Sequence, residues 1–249
     1  MADAILRLER LSKHFGALRV TNELSLDILR GEVHAIIGPN GAGKTTLISQ
    51  ISGALKPDHG RITFDGRDVT GLSMAQRARL GLARSFQITT VLPDFTVLDN
   101  VALAVQARQG HSFRFIKAVA RDIGLSKRAL QHLEIVGLAD RAHMQAGRLS
   151  HGEKRSLELA IALATEPKLL LLDEPMAGTG KEETERLVTV LKRLAADYTM
   201  LLVEHDMAAV FALADRISVL VYGEVIATGA PADIRTNEKV RKAYLGEEA

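Results

Sequence analysis

The chain has 249 residues, 47% of them hydrophobic, no cysteine and a formal net charge of +2. That length suits one large α/β domain or two small ones. The missing cysteines exclude disulfides, thiolate chemistry and cysteine metal sites, and so small a charge gives no bulk electrostatic case for nucleic acid. The opening Met1-Ala2-Asp3-Ala4-Ile5-Leu6-Arg7 lacks the basic-then-apolar layout of a signal peptide. No run approaches the ~18 uncharged apolar residues of a membrane span. A soluble protein is expected, with any membrane role supplied by a partner.

Residues 5–37 alternate short apolar runs with turns, as antiparallel strands do. Leu24-Ser25-Leu26-Asp27-Ile28 alternates, and Arg30-Gly31-Glu32 turns into the β-branched run Val33-His34-Ala35-Ile36-Ile37. Residues 60–66 form another short bounded strand. From about 72 to 160 the pattern is mostly helical, with helices expected over 97–107, 116–123, 127–136 and 153–164. Leu169 to Leu172 reads as a buried strand ending in acid, residues 184–196 as an amphipathic helix, and Met200 to Val203 as a second buried strand. A helix over 207–214 and a strand over 217–222 follow. Alternating strand and helix argues for an α/β fold with a parallel sheet and a helical insertion. The basic residues Arg108, Arg114, Lys117, Arg121, Lys127 and Arg128 face one acid, Asp122, with Phe113 and Phe115 among them. The preferred reading is a solvated helix face. A nucleic-acid patch and a surface for anionic lipid are the alternatives.

The chemistry is concentrated at Gly38-Pro39-Asn40-Gly41-Ala42-Gly43-Lys44-Thr45. This fits the phosphate-binding pattern G-x-x-x-x-G-K-[ST], between a strand and a helix. Glycines let the backbone bend and bring amide N–H groups to phosphate. The helix N-terminus adds its own unpaired N–H groups. The Lys44 ammonium can reach the β- and γ-phosphates, the Thr45 hydroxyl can ligate Mg²⁺, and Thr46 can reach a further phosphate oxygen. Downstream, Leu169 to Leu172 runs into Asp173-Glu174-Pro175. A buried strand that delivers Asp173 at its C-terminal edge suits the outer shell of Mg²⁺. Glu174 beside it can orient or deprotonate water. His205 stands at the end of another presumed parallel strand, where open α/β sheets bind ligands. Ser150 and Glu153 of Ser150-His151-Gly152-Glu153 make a capping box, and a helix N-terminus with a free hydroxyl also binds phosphate. Gln87 carries an amide oxygen able to ligate Mg²⁺.

In this order, these elements resemble the ATP-binding-cassette (ABC) ATPases over nearly the whole chain. Gly38 to Thr45 looks like their Walker A motif, Gln87 their Q-loop and Leu149 to Glu153 their signature. Leu169 to Glu174 looks like Walker B, His205 the switch histidine and Phe15 the adenine-stacking aromatic. Within the family the similarity points to ATP-binding subunits of branched-chain amino acid importers, through Arg84-Ser85-Phe86-Gln87, Glu174-Pro175-Met176-Ala177-Gly178, Val203-Glu204-His205-Asp206-Met207 and Ala243-Tyr244-Leu245-Gly246-Glu247. Subunits for lipopolysaccharide export and urea uptake share much of this pattern, and a soluble cassette acting on nucleic acid or ribosomes ranks below them. His151 and Glu153 replace the Gly and Gln of the usual Leu-Ser-Gly-Gly-Gln. Thr179-Gly180 stands where the D-loop has Leu then Asp or Asn.

The resemblance implies a P-loop NTPase with a RecA-like parallel sheet, an antiparallel β-subdomain and a helical subdomain at about 88–160, the core being 1–87 and 161–249. It implies hydrolysis of ATP with Mg²⁺, Lys44, Glu174 and His205 being catalytic. Mg²⁺ would be held by Thr45, Gln87 and, through water, Asp173. Two subunits, identical or paralogous, would sandwich two nucleotides, with Ser150, His151, Gly152 and Glu153 acting across the dimer. The implied partners are transmembrane permease subunits and, indirectly, a periplasmic solute-binding protein. The implied place is the cytoplasmic face of the inner membrane, with no nucleic acid expected.

Overall fold

Hydrogen bonding divides the strands into two sheets of opposite character. The structure is a computed structural model that describes residues 3–84, 91–108 and 123–245. β1 (Ala4–Phe15), β2 (Leu18–Leu29), β4 (His59–Phe64) and β5 (Arg67–Asp68) form an antiparallel sheet in the order β2-β1-β4-β5. β3 (Val33–Ile37), β6 (Leu82–Arg84), β7 (Leu169–Asp173), β8 (Thr199–Val203), β9 (Arg216–Val221) and β10 (Glu224–Gly229) form the second sheet, in the order β10-β9-β3-β8-β7-β6. All its pairings are parallel except β10 on β9.

Every residue of β3, β7 and β8 is buried. Strands covered on both faces read as continuous apolar runs rather than alternations. Their side chains nonetheless divide by parity. Leu170, Leu172, Met200 and Leu202 join a cluster with α3 (Val97–Arg108), α4 (Ile123–Ile135), α5 (His151–Leu163) and α6 (Lys181–Leu194). Leu169, Leu171, Leu201 and Val203 face the antiparallel sheet and α1 (Lys44–Ser52). The helix that follows the glycine-rich loop is thus packed between two sheets by Leu47, Ile48 and Ile51.

The far end of α1 is fixed by α2 (Met74–Arg79). Arg77 is fully buried, and its guanidinium donates to the Gln50 and Ile51 carbonyls at 2.7 Å and to those of Leu72 and Thr70 at 3.1 Å. It satisfies carbonyls that a helix C-terminus leaves unpaired. Burial lowers the Arg77 pKa to about 10, so it stays charged at neutral pH.

The long apolar strands fall where expected, β7 and β8 each gaining one flanking residue. Four expectations need correction. Helix α4 already runs at Ile123, four residues before the expected 127. The mostly helical stretch from 72 contains β6, three residues long and too short for any periodicity to show. Of the residues read together as antiparallel, Val33 to Ile37 leaves the first sheet for the parallel one. Helix α6 starts at Lys181, three residues before the expected 184; its buried Leu187, Val190, Leu191 and Leu194 follow the anticipated amphipathic spacing. The helix expected over 116–123 lies almost wholly outside the described residues, as do Phe113, Arg114, Phe115, Lys117, Arg121 and Asp122. Lys127 and Arg128 are exposed on α4.

Candidate active site

The loop between β3 and α1 owes its shape to close backbone approaches. Gly38 has φ 153° and Gly43 has φ 104°. A Cβ on Gly38 would strike the Leu220 carbonyl oxygen, and one on Gly43 would lie 2.5 Å from the Val20 carbonyl oxygen. Both positions therefore need glycine on two counts, dihedral and space. The loop is also bonded from behind: the Ala42 amide donates to Pro39 O at 3.2 Å, and the Gly223 amide to Ala42 O at 3.0 Å. Pro39 is half-buried, and Asn40, Gly41 and Thr45 are exposed. Lys44 Nζ donates to Gly38 O at 2.6 Å and to Pro39 O at 3.0 Å. Burial lowers the Lys44 pKa, against the opposing charges of Glu174 and Asp173.

Adjacency of β3, β8 and β7 brings three of the marked groups to one sheet edge. Asp173 ends β7 in register with Val203, the last residue of β8, which is itself in register with Ile36 of β3. Just beyond, Glu174 takes φ 49°, and its amide donates to Val203 O at 2.8 Å. His205 follows β8, its side chain 59% exposed. Phe15 ends β1, 51% exposed, with Lys13 Nζ 5.6 Å above its ring. Lys13 is in turn held by Asp58 at 2.6 Å. Gln87 lies outside the described residues.

A magnesium ion suits this donor set. Thr45 offers an exposed hydroxyl. Asp173 is buried with one carboxylate oxygen, Oδ1, that has no hydrogen-bond partner among the described residues. Oxygen donors in small number beside a phosphate loop are what Mg²⁺ takes, since it keeps most of its waters and shares phosphate oxygens.

The segment Ser150-His151-Gly152-Glu153 is elsewhere. Ser150 is the N-cap of α5: its Oγ accepts from the Glu153 amide at 3.2 Å, and Glu153 Oε2 accepts from the Ser150 amide at 2.8 Å. The capping box expected from sequence is thus present. Ser150 and His151 are exposed. Ser150 Oγ also donates to Glu183 Oε1 at 3.3 Å, and a Cβ on Gly152 would collide with that Glu183 carboxylate. No hydrogen bond among the described residues joins Ser150 to residues 38–46.

An acid and a cation at this edge, and a second acid beside Gly152, were not singled out for a role from sequence. Glu204 is buried, and its carboxylate accepts from the amides of Met176 at 2.9 Å, His205 at 2.8 Å and Asp206 at 3.2 Å. It pins the turn after Glu174 to the residue bearing the imidazole. The readable signal was an acid at the end of an apolar strand, the same signal that marked Asp173. Arg84 donates to Asp173 Oδ2 at 2.9 Å, and Glu183 covers Gly152; neither had a local pattern to betray it.

Two family models match the chain: "ABC transporter" over residues 21–177 and "Branched-chain amino acid ATP-binding cassette transporter" over 224–249. The chain is 39% identical over 254 residues to the high-affinity branched-chain amino acid transport ATP-binding protein LivG of Salmonella typhimurium, covering 99% of this chain and 100% of that one. It is 36% identical over 254 residues to BraF of Pseudomonas aeruginosa, a protein of the same description, with the same coverage. The solved ADP conformation of MJ1267, an ATP-binding cassette of an ABC transporter, matches with TM-score 0.86 and 32% identity over 98% of this chain and 99% of that chain. A dimeric, post-hydrolysis structure of the cassette MJ0796 bound to ADP and Pi matches with TM-score 0.77 and 26% identity, covering 91% and 98%. The glycine-rich loop, the carboxylates that end β7 and the likeness from end to end place this chain in the ABC transporter family, as one of its ATP-hydrolysing cassettes.

Proposed function

We propose that the chain is the ATPase subunit that energises an importer for branched-chain or similar hydrophobic amino acids. The observation that carries this is end-to-end similarity to LivG and BraF, including the family model at the C-terminal residues 224–249. The chain's own groups divide the work. Amides of residues 38–46 and the Lys44 ammonium bind the phosphates, and Phe15 receives the adenine. Glu174 takes the proton of the attacking water, and His205, steadied by Glu204, contacts the terminal phosphate. Thr45 and Asp173, with Gln87, would hold Mg²⁺, which supplies neutralising charge at the phosphate oxygens.

Ser150, His151, Gly152 and Glu153 serve the nucleotide held by a second subunit, identical or paralogous. Residues 88–160 act as a helical subdomain against the core of 1–87 and 161–249. Among the described residues no helix is long and apolar enough to cross a membrane. The proposed place is the cytoplasmic face of the inner membrane, peripheral through transmembrane permease subunits that a periplasmic solute-binding protein serves. The test is reconstitution with the cognate permease and binding protein in vesicles. Leucine, isoleucine or valine should stimulate ATP hydrolysis and accumulate inside. Stimulation by urea or another polar solute instead would overturn the assigned substrate class.

A further inference from the structure

Arg84 ends β6, the three-residue strand at the edge of the parallel sheet, in register with Leu171. Its guanidinium therefore starts two residues short of Asp173 along the neighbouring strand. It reaches forward to donate from Nη2 to Asp173 Oδ2 at 2.9 Å, and from Nη1 to Ser52 Oγ at 3.3 Å. Ser52 is the last residue of α1, the helix that begins at Lys44. One planar group thus ties the end of the phosphate-loop helix to the carboxylate at the end of β7.

The surroundings make this pair more than a surface contact. The Asp173 side chain is fully buried and that of Arg84 is 12% exposed. The guanidinium borders a mainly apolar groove of about 280 Å³ lined also by Met74, Ala78 and Leu82. Water cannot screen such a pair well, so its geometry is held much more tightly than that of an exposed one. The engagement is also lopsided. Arg84 takes Oδ2, while Oδ1 has no hydrogen-bond partner among the described residues. A carboxylate held through one oxygen is restrained in rotation, so the other oxygen favours one direction.

Asp173 also feels a second cation. Lys44 interacts with both Asp173 and Glu174. Without Arg84, the charge of Lys44 would act on the Asp173 carboxylate unopposed and draw it that way. That would mis-set the carboxylate and draw the ammonium away from the phosphates. A lysine at 84 would keep a charge near Asp173 but lose the fork that engages Ser52 at the same time.

We infer that Arg84 is a positioning residue for the metal site: it holds Asp173 through Oδ2 so that Oδ1 is presented to the hydration shell of the nucleotide-bound divalent ion. This rests on the reading of Asp173 as the metal-side carboxylate. The experiment measures Mn²⁺ affinity in the presence of saturating ADP by electron paramagnetic resonance, for the full chain and for R84M, R84K, D173N and the double variant. ADP binding in EDTA is measured alongside. R84M should weaken Mn²⁺ about tenfold and R84K about threefold, while ADP affinity in EDTA changes less than about twofold. The double variant should be no worse than D173N alone, because both substitutions act through one carboxylate.

Wild-type Mn²⁺ affinity in R84M, with D173N impaired, overturns the role of Arg84. Wild-type affinity in D173N overturns the metal-side reading of Asp173 and the inference with it. If R84M does not fold, R84K decides: a threefold loss supports the inference, and no loss overturns it.

Discussion

Glu174 sits in the left-handed region, at φ 49°, where a residue with a Cβ pays roughly 1–2 kcal/mol. The strain persists because its amide is bonded to Val203 and the following turn is pinned through Met176 to Glu204. Glutamine fits the same backbone, so Glu174→Gln removes the base without removing the shape. Turnover should fall at least about 100-fold, with ATP affinity changed less than about threefold. Phosphate release and nucleotide titration on the same preparation measure this, and near-normal turnover would remove Glu174 from the role of base. Residues of this kind were legible in the sequence because the chemistry is local: Gly38 to Thr45 and Asp173-Glu174 are contiguous. Glu204 and Arg84 were not singled out, because what they do depends on partners such as Met176 and Asp173, 28 and 89 residues away.

Among the elements, α1 depends on a residue that never approaches the phosphates. Arg77→Met would take this donor from the Ile51, Thr70 and Leu72 carbonyls and leave Gln50 O with the Gly53 amide alone, at about 1–3 kcal/mol for each group left unpaired. Urea unfolding should therefore register a loss of about 3 kcal/mol or more. A loss below about 1 kcal/mol would mean that Arg77 only fills space. Strand β3 has its own buried charge at its start. Burial pushes the Glu32 carboxyl up, but hydrogen bonds from His34 and the Leu29 amide, with the charge of Arg216, outweigh it and leave the pKa lowered. A group depressed on folding stabilises fully above its unfolded value, 4.5, and loses that contribution as pH falls through the folded one. Glu32→Gln should accordingly unfold at lower urea than the parent at pH 7, with the gap narrowing below pH 4.5. A gap independent of pH would show that the ion pair contributes nothing. Strands β7 and β8 could be read because burial on both faces leaves an unbroken apolar run. β6 and β10 could not: one is three residues long, and the other, Glu224–Gly229, is only half-buried, without a sharp alternation.

For the molecule as a whole, the placement of Ser150 decides how hydrolysis depends on concentration. Its hydroxyl engages Glu153 and Glu183, and no hydrogen bond among the described residues links it to the phosphate loop. If a second subunit must supply it, turnover per subunit should rise with protein concentration until dimers saturate. A constant value over a 100-fold dilution of a species that light scattering shows to be monomeric would mean that one subunit suffices. The parallel sheet carries a different consequence, one of timing. β3 lies between β8 and β9, and Ile37 leaves the ribosome more than 160 residues before Thr199. At about 5–20 residues per second, the strand that leads into the phosphate loop waits roughly 10 to 30 s for its neighbours. The antiparallel sheet draws all its strands from residues 4–68 and can pair meanwhile. The loop waits longer still, because Leu220 and Gly223 form its back wall. Nascent chains halted before β9 should therefore capture no nucleotide, and ATP binding arrives only once residues 220–223 have emerged.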